Sequence, residues 1–157
     1  MKKKRVVIIS LLLLLVSVIG ISSYFLFKDK INLLDVDHSA VDWNGKKQKD
    51  TSGEENTIAI PGFEKVTLYA NETTQAVNFH NPEINDCYFK ISLIHPDGSV
   101  LWISDLIEPG KGMYSIELEK TLAAGEYENA VLKYECFSLN DQSPLNGSEI
   151  NLKLVVV

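Results

Sequence analysis

The sequence is poor in the residues that make active sites easy to recognise. It has two cysteines and three histidines in 157 residues. There is no Cys-x-x-Cys, and no histidine has a second histidine two or four residues away, so zinc-type ligand spacing is missing. Gly-x-Ser-x-Gly, His-Glu-x-x-His and a phosphate-cradling glycine loop are also missing. "PGKG" at 109–112 runs straight into "MYSIEL" and reads as a turn before a strand. Positive charge is scarce after the first thirty residues. Residues 1–30 hold six Lys/Arg and one acidic residue. Of fifteen bases and twenty-one acids in the chain, nine and twenty remain, a balance of −11. Phosphate polymers are repelled by such a segment, which argues against nucleic acid as a partner and against anionic membrane or wall polymers.

What is present begins with "MKKKR" and an uncharged run from Val6 to Phe27, 22 residues long. As a helix at roughly 1.5 Å per residue it reaches across a hydrocarbon core of about 30 Å. The run is longer than the apolar part of a cleavable signal peptide and has no A-x-A site, although cleavage after Gly20 is a second reading. No cysteine follows it, which argues against a lipid-modified N-terminus. The favoured expectation is a retained signal-anchor over 6–27. Residues 1–5 then stay cytoplasmic and the rest of the chain lies outside the cell membrane. The alternative is secretion after cleavage. Residues 28–56 read as a flexible linker, in which Leu33, Leu34, Val36, Val41 and Trp43 are apolar enough to dock weakly.

From Thr57 the pattern is strand throughout. "TIAI" (57–60), 65–70, 74–79, 87–94, 99–104, 113–118, 126–139 and 148–157 are short apolar or alternating runs separated by Pro, Gly, Asn and Asp. "HPDG" at 95–98 makes a hairpin of 87–94 and 99–104. The expected fold class is all-β, an antiparallel sandwich of seven to eight strands over 57–157, with Trp102 in its core.

The candidate chemistry is thin. Cys87 and Cys136 both fall within strands. In an oxidising exterior they suit a cross-sheet disulfide, and two buried free thiols is the competing reading. Nothing flanking either cysteine would lower its pKa, so neither reads as a nucleophile. His38 falls in the linker and His95 opens a turn. His80 with Glu83 or Asp86 could make a loop site, against the plainer reading of a solvated loop. Asp35, Asp37, Asp42 and Asn44 resemble an oxygen-ligand calcium loop only loosely, lacking its 1-3-5 spacing, its glycine and its terminal glutamate. Tyr69, Tyr88, Tyr114 and Tyr134 are the only candidates for an aromatic sugar platform. No catalytic residue, cofactor-binding residue or metal ligand is assigned.

"LAAGEYENAVLKYECF" (122–137) resembles the penultimate-strand region of immunoglobulin-like sandwiches, where a corner tyrosine bonds back to the chain. Gly125-x-Tyr127 has the Gly-x-Tyr form, whereas the position two residues before the cysteine is Tyr134, so either tyrosine could take the corner. Over about 57–157 the order of segments resembles small membrane-anchored or secreted proteins of Gram-positive bacteria. That resemblance implies an extracytoplasmic sandwich and supplies no catalytic residues. The functional expectation is a non-catalytic cell-envelope module that binds an envelope protein or glycan. An accessory subunit of a surface, secretion or conjugation assembly is the alternative, and a wall-acting hydrolase the least favoured.

Overall fold

The computed structural model of the chain describes residues 33–45 and 57–157. The expected helix over 6–27 and the later part of the expected linker lie outside them. The described residues contain eight strands in two sheets and no helix. They are β1 (Val41–Asp42), β2 (Lys65–Leu68), β3 (Thr74–His80), β4 (Cys87–Ile94), β5 (Val100–Ile103), β6 (Lys111–Glu117), β7 (Gly125–Ser138) and β8 (Pro144–Val156). One sheet has the order β1-β6-β3 and the other β2-β8-β7-β4-β5. All pairings are antiparallel except β2 with β8, which run parallel.

Period-2 patterning explains the strands. Val66 and Leu68 of β2 are buried while Lys65 and Thr67 are exposed. Leu152, Leu154 and Val156 of β8 are buried in the same alternation. β4 is buried at Cys87, Phe89, Ile91, Ser92 and Leu93 because it is a central strand, covered by β7 and β5 along its edges. The apolar core gathers Phe79, Phe89, Leu101, Trp102, Leu132, Tyr134 and Leu154, each at most 7% exposed. At about 25 cal/mol per Å² of apolar surface, this burial is the main force holding the sheets together. The turn at 95–98 closes as its residues require. Gly98 takes a φ of 86°, its N–H donates to the His95 carbonyl, and Asp97 Oδ1 accepts from the Ser99 N–H.

Two segments differ from the sequence reading. Residues 57–60 make no strand. Their apolar side chains still pack against the core, but their backbone is held by a side chain: the Ala59 N–H donates to Asn85 Oδ1 and its carbonyl accepts from Asn85 Nδ2. Residues 34–45 belong with the two sheets, so the compact unit runs from Leu34 to Val157 and does not start at Thr57. The Asp37 N–H donates to the Leu106 carbonyl, the Leu106 N–H to the Asp35 carbonyl, and β1 pairs with the start of β6. This strap begins at the tip of the β7–β8 hairpin, where the Gln142 side chain grips both backbone groups of Leu34.

The strand directions sort the loops into two ends. The strap, the β3–β4 loop, the β5–β6 loop and the β7–β8 tip share one end, called here the loop end. The β2–β3, β4–β5 and β6–β7 connections and the final residue, Val157, share the far end.

A candidate binding cleft at the loop end

The strap, the β3–β4 loop and the β5–β6 loop enclose a cleft of about 770 Å³, within the usual range of roughly 300–1,000 Å³ for ligand sites. Its walls are Asp42 to Gly45, His80, Pro82 to Ile84, and Pro109 with Gly110.

Trp43 organises the strap side. Its backbone N–H donates to the Gly110 carbonyl at 2.8 Å, and its indole N–H donates to Asn78 Oδ1 at 2.7 Å. The ring stacks on the buried His80 imidazole, with centroids 3.8 Å apart and planes 9° from parallel. The stack needs a glycine at 112: a Cβ there would sit 2.8 Å from Trp43 Cδ1 and 2.9 Å from His80 Cβ. Beside it, the Tyr114 hydroxyl accepts from the Asn44 N–H and donates to Asn44 Oδ1, both at 2.9 Å. The Lys111 ammonium pairs with the Asp42 carboxylate, which holds that carboxyl below its ordinary value of 3.8.

The opposite wall is the loop "HNPEIND" (80–86), set by two buried amides. Asn81 Nδ2 donates to the carbonyls of Cys87 at 2.8 Å and Ile107 at 2.9 Å. Its backbone N–H donates to Lys111 and its carbonyl accepts from Gly110. Asn85 Nδ2 donates to Asn81 Oδ1 at 2.8 Å as well as to Ala59. Buried amides joined in this way rigidify the backbone that carries them. They hold up Glu83, which is exposed, and Ile84, which is 80% exposed. Ile84 is the most exposed large apolar side chain among the described residues.

The residues singled out from the sequence fall in several places. His80 and Glu83 do share this cleft, while Asp86 is exposed outside its lining. His95 is at the far end, in contact with Asp97 and edge-on to Tyr127. His38 is exposed on the strap. Asp37 caps the Ser39 and Asp105 N–H groups, Asp42 pairs with Lys111, and Asn44 binds Tyr114. Asp35 contributes its carbonyl to Leu106. Among the described residues no group of three His, Cys, Asp or Glu side chains is placed to hold a metal ion. The four tyrosines do not form one platform. Tyr134 is in the core, Tyr114 lies on the three-stranded sheet, and Tyr69 and Tyr88 belong with the five-stranded one.

Cys87 and Cys136 are corrected in one respect. They do not face each other across the two sheets. They lie on neighbouring strands of one sheet, Cys87 opposite Ser138 and Cys136 opposite Phe89, and so are diagonal neighbours. Both are buried free thiols. Contact with Cys87, together with burial, pushes the Cys136 thiol up and away from thiolate chemistry. The Tyr127 hydroxyl donates to the Ala123 carbonyl four residues upstream at 2.9 Å. Tyr134 is fully buried edge-on to Phe89, with its hydroxyl 3.5 Å from the Pro61 carbonyl, and burial pushes that hydroxyl's pKa up.

Sequence reasoning missed Asn81, Asn85, Ile84, Gly112 and the role of Trp43. The available signal was "NPEIN": an asparagine on either side of a proline-containing turn, where amide side chains commonly bond nearby backbone. Comparison with protein-family models, with curated proteins and with solved structures finds no match for this chain.

Proposed function

We propose that the chain is a non-catalytic binding module of the cell envelope, tethered by its N-terminal apolar segment and engaging its partner through the cleft at the loop end. The observation that carries this reading is Ile84, an aliphatic side chain left in solvent by a loop whose backbone is rigidly held. An exposed apolar group on a preorganised loop beside an aromatic ring is how protein recognition sites are built. No nucleophile–base pair lines the cleft. The 22-residue apolar run behind four consecutive cations supports the tether and the extracytoplasmic side.

The sandwich is read as immunoglobulin-like. The order β2-β8-β7-β4-β5 against β1-β6-β3, the parallel pairing of β2 with the last strand β8, and a tyrosine bonding back at the start of β7 all support that reading. On it, the β3–β4 and β7–β8 loops correspond to those that form the binding end of variable domains. Tyr127 takes the corner role.

A photo-activatable side chain at Ile84, compared with one at Glu72 on the far end, tests the reading in intact cells. Cross-links from position 84 and none from position 72 are expected. Equal labelling from both positions, or none from 84, would sink it.

A further inference from the structure

The cleft's chemistry narrows the partner. Four segments build the loop end: 34–45, 81–86, 104–110 and 139–143. Between them they carry Asp35, Asp37, Asp42, Glu83, Asp86, Asp105, Glu108 and Asp141, and among these described residues no lysine or arginine; Lys46, Lys47 and Lys49 follow Gly45 in the sequence, outside the described residues. All but Asp37 are exposed. The nearest described cation in the chain, Lys111, is committed to Asp42. Within the cleft, Glu83 shares the lining with Ile84, Pro109 and Trp43. The surface is therefore a half-apolar groove with an anionic rim.

This distribution disfavours the other envelope ligands. Phosphate-bearing wall polymers and anionic lipid headgroups would meet the seven exposed carboxylates of the loop end. A neutral sugar would have at most one aromatic face of Trp43 to stack on, since His80 covers the other at 3.8 Å. A second copy of this chain would bring its own acidic surface. We infer that the cleft receives a basic polypeptide segment, with an aliphatic side chain seated against Ile84 and Pro109 and a lysine or arginine next to Glu83. The inference rests on reading the chain as a binding module. Charge complementarity of this kind sets association rate and partner choice more than total affinity, so the complex should be salt-sensitive.

The probe is the pentapeptide acetyl-Gly-Lys-Leu-Lys-Gly-amide, titrated into the full chain held in phosphatidylcholine nanodiscs. The counterpart has Glu in place of Lys. Amide resonances of Glu83, Ile84 and Gly110 should move with the lysine peptide and stay still with the glutamate one. Raising salt from 0.05 to 0.5 M should weaken binding about ten-fold, since the screening length shrinks to less than half. Glu83→Lys and Ile84→Asp should each abolish the shifts. Both side chains are exposed, so an unchanged melting temperature separates lost binding from lost folding. Equal response to both peptides, response to neither, or a salt-independent response overturns the inference. Mass analysis of the segment cross-linked at Ile84 in cells separates the two failures. A polypeptide segment that is not basic leaves the binding-module reading standing and removes this one, whereas no cross-link removes both.

Discussion

The two ends of this two-sheet domain are closed by different means. At the far end, backbone bonds to backbone: Ala70 to Val157, Val157 to Leu68, Asn71 to Leu122, Leu118 to Thr73 and Glu119 to Leu101. One buried amide, Gln75, assists by holding Tyr69 and Glu72. The connections 69–73, 95–99 and 118–124 carry three carboxylates and one lysine. At the loop end, backbone bonds such as Trp43 to Gly110 and Asn81 to Lys111 are joined by a larger set of side-chain bonds. Asn81, Asn85, Gln142 and Tyr114 bond to backbone, Trp43 bonds to Asn78, and among the described residues of these loops seven exposed carboxylates stand without a cation among them. Backbone closure needs only the right turn residues. Side-chain closure needs particular residues and leaves the loops free to present others. The difference teaches where this molecule can specialise: at the loop end, while the far end serves the fold.

The comparison can be broken first through the amides. Asn81→Ala would take a bond from the Cys87 carbonyl and one from the Ile107 carbonyl, which keeps the Phe89 N–H, and would strand one Asn85 donor in a buried site, so a loss of about 3 kcal/mol in urea unfolding is expected. Gln75→Ala at the far end should cost less. An equal or larger loss there would mean the ends do not differ as described. A smaller and local effect is expected from Trp43→Ala, about 2 kcal/mol from the loss of a half-buried ring and its bond to Asn78. Hydrogen exchange should quicken at the Trp43 and Asp37 amides and stay slow at Val157.

The smallest effect is the pH dependence of the strap. Asp42 is held below its ordinary 3.8 by Lys111, so its contribution is present above that value and fades as pH falls through the depressed one. Lys111 is raised above its ordinary 10.5, so its share is present below that value and fades as pH rises through the raised one. Asp42 is exposed and Lys111 half-buried at the surface, and the pair is worth little. Exchange at Trp43 should therefore be flat between about pH 4 and 10 once intrinsic rates are removed, and quicken modestly outside that window.

Much of the fold was readable in the sequence because it rests on local alternation. β2, β4, β7 and β8 all carry period-2 burial over at least part of their length, and "HPDG" names its own turn. The failures have a common cause. "TIAI" has the composition of a strand, but its backbone partner is Asn85, 26 residues on. β1 is two residues long and carries no period at all. What makes it a strand is a bare edge on β6 and a glycine at 112 that lets Trp43 lie flat, both about 70 residues away. The candidate site was half legible for the same reason. His80 and Glu83 could be flagged together within one loop, but the walls that turn the loop into a cleft come from 42–45 and 109–110.

The strap also settles where this domain can be divided. A fragment cut at Thr57 would look complete by composition, yet it would bare the paired start of β6 and strip the cover from His80. An open strand edge beside an uncovered ring invites sticking to other chains. Such a fragment would be expected to self-associate.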